Sequence, residues 1–307
     1  MMEIVGAVAG TEREIAPEMI CRDRVRFTAS LRLDFERHPA IGRTILAASH
    51  QEPPLKVVRA FAVEDGAALV HLHNVSGGLL GGDRLELAVH VGADAQAQVT
   101  TTGATRIYRP RVEAPATSQL NEITVGENGV LEYLPDAVIP FAGARFSQRT
   151  SIQLAEGAGL FWWEILAPGR EARGEIFEYE SVELKTDLVA KGRLVAAECS
   201  RLEPRKRGLA AIGRLEAYRT WASFYVCRVG VEAAEWLEME KELREILGVL
   251  GRREDALWGV STLAEHGLIV RCAAKRGRDV LPGFHAVWSA TKWRLYGRAA
   301  VMPRKVN

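Results

Sequence analysis

The chain predicts a mainly β fold with a small helical portion near its C-terminal end, and three patterns carry that expectation. Short β-branched or alternating runs, separated by glycine turns, fill the first two thirds of the sequence. A stretch with four glycines in six positions, Gly77 to Gly82, opens directly into one such run. Helical spacing of apolar residues appears only beyond residue 230.

Residues 1–20 predict a mobile leader ahead of a single domain over 21–307, because Gly6, Gly10 and Pro17 interrupt any periodic pattern. Structure begins near Val25. Leu31 and Leu33 alternate with Arg32 and Asp34, Pro53-Pro54 marks a turn, and Val57, Val58, Ala60 and Phe61 resume an extended pattern. Two strands are thus expected before the glycine stretch.

That stretch, Asn74 to Leu85, carries two Gly-Gly pairs around Leu79-Leu80. Such pairs permit positive φ or a close approach between backbones that a Cβ would forbid. Asp83 follows at once, and Leu85, Leu87, Val89 and Val91 then alternate with Glu86, Ala88 and His90 as in a half-buried strand. A phosphate-cradling loop would open into a helix and end in Gly-Lys-Ser/Thr. This loop opens into a strand, which favours a structural turn with a carboxylate beside it.

The β habit continues through Gln98 to Thr102, Leu120 to Val125, Val130 to Leu134 and Ser151 to Leu154. Gly126-Glu-Asn-Gly129 reads as a hairpin connection. Between Phe177 and Leu184 the apolar phase slips at Ser181, as a bulge would require. The period then changes: Trp236, Met239, Leu243, Ile246, Leu247 and Leu250 predict an amphipathic helix over Ala234 to Leu250. A second helix is expected over Phe284 to Tyr296, closed by Gly297. Glu203 to Gly208 reads as a solvated basic loop.

At 307 residues and 48% hydrophobic content the chain can bury a large core. Forty basic against thirty-nine acidic residues leave a formal charge of +1, so no global field draws in nucleic acid or an anionic membrane. The N-terminal stretch lacks signal-peptide character, and no apolar run approaches eighteen residues, which predicts a soluble, cytoplasmic protein. Cys21, Cys199, Cys227 and Cys272 are scattered without a Cys-x-x-Cys pair and are expected to be reduced.

Among groups that carry chemistry, His71 and His73 would share one face of a strand, a spacing that can hold a metal, but no third ligand accompanies them. There is no Gly-x-Ser-x-Gly elbow, and Thr100, Thr101 and Thr102 fit strand propensity as well as they fit catalysis. The carboxylates are more informative. Asp83, Glu132, Asp136, Glu164 and Glu175 each lie in or beside a turn rich in glycine, proline or arginine, and Glu132 and Glu164 interrupt apolar strands. If buried they must be paired, protonated or internally solvated. Arg170 and Arg173 are near enough in sequence to be structural partners.

Several of these stretches together resemble the urease accessory protein family UreD, also called UreH. The glycine loop Ser76 to Leu85, the threonine-rich segment Val99 to Arg109, the segment Leu131 to Phe146 and the segment Trp163 to Phe177 match its motifs in order. Ala137 stands where the family commonly has proline. The motif positions Gly77, Gly78, Gly81, Gly82, Thr101, Arg109, Pro135, Pro140, Gly143, Arg145, Gly169, Arg170 and Gly174 are expected to shape turns and crossings.

The resemblance implies a two-layer, β-helix-like arrangement of short strands and a protein without catalytic activity of its own. It further implies docking on apo-urease, assembly with UreF and the GTPase UreG, and support of nickel insertion, with nickel in transit and no tightly bound cofactor. Asp83, Glu132, Asp136, Glu164 and Glu175 then become candidates for lining a hydrated nickel passage, since exchangeable oxygen ligands release such an ion. An alternative is an enzyme binding a phosphorylated or acidic ligand at loop 76–85 through Arg84, Arg106 and Arg109. A third reading is an adaptor that never touches nickel.

Overall fold

The computed structural model describes residues 27–63, 65–111, 114–250 and 255–303. The expected leader over 1–20 lies outside these residues, as does Cys21. β1 (Phe27–Arg37) and β2 (Thr44–Gln51) form a hairpin, and the short β3 (Leu55–Lys56) and β4 (Ala60–Ala62) pair with β5 (Ala68–Asn74). From β5 onward the chain coils between two sheets. β6 (Asp83–Val91) lies in the first sheet and β7 (Gln96–Thr101) in the second; after a short β8 (Thr105–Ile107), β9 (Thr117–Val125) returns to the first and β10 (Val130–Leu134) to the second. The next coil repeats this with β11 (Val138–Pro140), β12 (Arg145–Leu154) and β13 (Gly159–Leu166).

β14 (Ser181–Ala190) then joins the first sheet, and β15 (Arg193–Leu202) turns back on it. β16 (Thr220–Arg228), α1 (Ala233–Leu250), β17 (Ala256–Thr262), β18 (Gly267–Ala274) and α2 (Leu281–Tyr296) complete the described chain. The central neighbours are parallel in both sheets: β1, β6, β9, β12 and β14 in the first, and β5, β7, β10 and β13 in the second. This is the two-layer, β-helix-like arrangement, with antiparallel strands added at its ends.

Alternation explains the first sheet. In β12 the residues Phe146, Gln148, Thr150, Ile152 and Leu154 are buried while their neighbours are not, so one face meets the core and the other meets solvent. The second sheet differs, because every residue of β10 is buried. Its inner face, with Leu131, Tyr133, Leu160 and Trp162, packs against the first sheet. Its outer face, with Phe161, Trp163, Phe224 and Val226, is covered by Trp236, Met239, Leu243 and Leu247 of α1 and by Phe284, Val287, Trp288 and Leu295 of α2. Strands covered on both faces lose the polar alternation that a half-buried strand keeps.

Both helices fall where the periodicity places them, and Gly297 closes α2 at φ 62° with its N–H donating to the Trp293 carbonyl at 2.8 Å. Three expectations need correction. Among the described residues, five strands rather than two precede the glycine loop, because β3 and β4 are too short to show a period and β2 is rich in small and polar residues. Gly126 to Gly129 is not a hairpin, since β9 and β10 belong to different sheets; it carries the chain across, with Asn128 at φ 53°. At Ser181 there is no bulge: β14 begins there after a turn through Phe177 at φ 57°, and the register shift on this strand falls between Leu188 and Val189.

Candidate functional site: an interior cavity and its loop edge

The turns at one edge of the coil are short and stack on one another, as in the Asp94 N–H to Glu127 carbonyl and Asn128 N–H to Glu156 carbonyl bonds, both 2.9 Å. At the opposite edge, where the second-sheet strands end, longer loops run through residues 75–82, 102–111, 135–144 and 167–180. All four stretches singled out by the sequence meet there. Leu79 bridges to Ile107, and β8 pairs with β11, so these loops form a short ladder of their own.

The glycine loop is built for that crowding. A Cβ at Gly78 would stand 2.4 Å from the Tyr108 ring, and one at Gly81 would stand 2.2 Å from Pro110. Its two leucine amides bond within the protein: Leu79 N–H donates to the Arg106 carbonyl at 2.8 Å, and Leu80 N–H to Asp83 Oδ2 at 2.8 Å. Asp83 therefore locks the turn that opens β6.

Behind this edge, between the sheets, lies a cavity of about 230 Å³. Its wall includes Thr101, Asn121, Tyr133, Asp136, Gln148, Trp162 and Glu164, and Gly77, Thr102 and Arg106 border it on the loop side. Asp136 and the Thr101 hydroxyl are bonded reciprocally: Thr101 Oγ1 accepts the Asp136 N–H at 2.8 Å and donates to Oδ2 at 3.1 Å. Glu164 projects from β13, between Trp163 and Ile165, and its Oε1 accepts the Gln148 amide. Glu164 is half-buried and lines the cavity. Burial pushes its carboxyl up to about 8, the Glu198 charge adds to the rise, and the Gln148 bond opposes it. Tyr133 is raised too, by its own burial first and by the nearby Glu164 charge second.

The structure thus brings two of the five carboxylate candidates, Asp136 and Glu164, to one cavity and places the others elsewhere. Glu132 projects from the opposite face of the second sheet, under α2. There it pairs with Lys292 at 2.7 Å and accepts the Gln98 amide at 2.8 Å, while Lys292 also reaches Asp65 at 3.4 Å. Burial raises the Glu132 carboxyl, and Lys292 opposes the rise. Glu175 sits on the 167–180 loop, bonded to Arg170 Nε at 2.7 Å and to the Ala142 N–H at 3.2 Å, and Arg170 holds it below the usual carboxylate range. Arg170 in turn lies over the Phe141 ring, 4.2 Å from its centroid.

His71 and His73 do share a face of β5, both half-buried, with the Phe61 ring edge-on to His71. Among the described residues, no group of three or more His, Cys, Asp or Glu is arranged to hold a metal ion. Cys199 is exposed, whereas burial pushes the Cys227 and Cys272 thiols up to about 12.

Sequence reasoning missed the polar groups of the first sheet that face the cavity, Gln119, Asn121 and Gln148. A signal was present. Asn121 shares its strand phase with the buried Ile123 and Val125, and Gln148 shares its phase with Phe146 and Ile152. A polar side chain in phase with a core row requires an internal partner or internal water.

A parallel two-sheet coil with carboxylates and amides around an interior cavity defines the class of protein: a β-helix-like fold with a polar space between its sheets. Comparison with known proteins assigns the lineage. The model of the UreD urease accessory protein family matches residues 28–307, and the chain belongs to that family. It is 42% identical over 281 residues to the urease accessory protein UreD of Herpetosiphon aurantiacus, covering 92% of this chain and 97% of that protein. It is 29% identical over 263 residues to UreD of Lysinibacillus sphaericus, covering 85% and 94%, and 29% identical over 300 residues to UreD 2 of Brucella abortus, covering 94% and 96%. No helix among the described residues is long and apolar enough to cross a membrane.

Proposed function

We propose that this chain is a non-catalytic scaffold that docks on apo-urease and, together with UreF and the GTPase UreG, supports nickel insertion. In this reading nickel is cargo. It passes through the interior cavity by way of Asp136 and Glu164, with the Thr101 hydroxyl and the Gln148 and Asn121 amides as neighbours. The observation that carries the reading is the cavity between the sheets, walled by two carboxylates and further oxygen-bearing groups. Oxygen donors hold a borderline divalent ion more loosely than imidazole or thiolate, so the ion can leave as readily as it enters. The cavity has room for several waters, which an ion that exchanges its ligands requires.

The alternative ligand site at the glycine loop has no comparable support. Its Gly77, Leu79 and Leu80 amides bond within the protein, the loop opens into β6 rather than a helix, and Arg84 is paired with Glu86 at 3.3 Å. The test is urease activation in vitro with nickel, bicarbonate, GTP and the partner proteins, with and without this chain. Activation that requires the chain, and that falls with Asp136→Asn or Glu164→Gln in complexes that still assemble, supports the passage. Activation by assembled Glu164→Gln complexes at the wild-type rate reduces the role to that of an adaptor.

A further inference from the structure

The polar lining does not end at Glu164. In the second sheet, register places Glu164 of β13 beside Ser223 of β16, and Ser223 beside Arg271 of β18. Paired positions on neighbouring strands share a face, so these three side chains enter the same space between the sheets. Glu198 of β15 meets them from the first sheet. Its Oε2 lies 3.2 Å from an Arg271 amino group and also accepts the Tyr225 hydroxyl. Tyr225 stacks on the cavity residue Trp162 with ring centroids 5.2 Å apart.

Two features distinguish this row from an ordinary ion pair at a sheet edge. Ser223 is 1% exposed and its hydroxyl has no hydrogen-bond partner, although it stands between two charged positions. Buried hydroxyls are normally satisfied. The row also runs outward: Ser223 is buried, the Glu198 side chain is 18% exposed, and that of Arg271 is 42% exposed. The far end of the row therefore reaches solvent on the β15 and β18 side, away from the loop edge.

We propose that this row is a second portal of the cavity, closed here by the Glu198–Arg271 ion pair and the Tyr225 hydroxyl, through which a divalent cation passes once Arg271 is drawn away. The proposal rests on the passage reading above. With Arg271 in place its guanidinium repels a cation and occupies Glu198. With Arg271 displaced, Glu198 and Ser223 add a carboxylate and a hydroxyl to the oxygen donors that begin at Glu164.

The test places a reporter behind the latch. Ser223→Cys, in a full-length chain lacking Cys21 and Cys199, is treated with a small cationic methanethiosulfonate, and modification is followed by mass spectrometry. Adding Arg271→Met or Glu198→Gln is expected to speed modification of the new thiol at least tenfold while the buried Cys227 and Cys272 stay unreactive. Excess Ni²⁺ is expected to slow modification of the opened portal. Equal rates with the latch intact and broken overturn the portal, as does acceleration shared by Cys227 and Cys272, which signals general loosening, or an opened thiol indifferent to Ni²⁺. Failure of the underlying reading shows separately: wild-type urease activation by assembled Glu164→Gln complexes overturns the passage whatever the labelling gives.

Discussion

Glu132 and Glu164 are the same residue type on neighbouring parts of one sheet, but they face opposite ways. Glu132 lies under α2 with a lysine at 2.7 Å, a second carboxylate within that lysine's reach and a glutamine amide. Glu164 faces the cavity with one glutamine amide, and no cation is bonded to it among the described residues. Both carboxyls are raised by burial, so burial alone does not separate them. The partner does. A buried carboxylate with its own lysine is a fastener, whereas one that lines a cavity without a bonded cation keeps the capacity to take one.

The largest expected effect breaks the fastener. Lys292→Ala strands Glu132 and Asp65 beneath α2, and removing one partner of a buried pair costs about 3–5 kcal/mol. Denaturant unfolding should record that loss. Lys292→Met combined with Glu132→Gln should recover most of it, because no uncompensated charge then stays buried. A Lys292→Ala protein as stable as the parent would place Glu132 in the same class as Glu164.

This contrast also shows what the chain makes legible. Strand phase revealed the inner row of β6, and the 3.6-residue period revealed α1 and α2, because each of these elements has one wet and one dry side. Where both sides are dry, phase carries no information. In Val130 to Leu134 nothing local tells Glu132 under the helix from Tyr133 in the cavity, and the residue that answers Glu132 lies at position 292, 160 positions away. Gly126 to Gly129 failed for a related reason: turn chemistry specifies a reversal but not whether the next strand rejoins the same sheet. Glu175 behaved otherwise, since its partner Arg170 is five residues away and was named from sequence.

A pH-dependent effect on stability, with the opposite sign at neutral pH, is expected at Glu164. Its carboxyl is pushed from 4.5 to about 8 in the folded protein. The folded state therefore holds the proton more tightly than the unfolded chain, and the resulting stabilisation is complete below pH 4.5. It fades as pH rises towards 8, at no more than about 1.4 kcal/mol per pH unit. Glu164→Gln, which cannot ionise, should flatten this slope. Unfolding curves for the two proteins should diverge between pH 5 and 8, with the variant more stable at the upper end and less active in urease activation. Parallel curves would mean that the Glu164 proton is not held by the fold.

The smallest effect is expected at the loop edge, where Glu175 is bonded to an arginine that is 40% exposed. Surface ion pairs of this kind contribute little, because water already solvates the arginine and salt screens the attraction. Glu175→Gln keeps an acceptor for the Ala142 N–H, so the turn should persist and the unfolding midpoint should move only slightly. Its effect on urease activation sharpens the comparison. The carboxylates that matter for transit are those facing the cavity, so an assembled Glu175→Gln complex should activate urease to within a factor of about two of the parent, the scale on which exposed pairs act. A drop as deep as that of Glu164→Gln would move the route outward, onto the loops, and make Arg170 the group that a passing cation must displace.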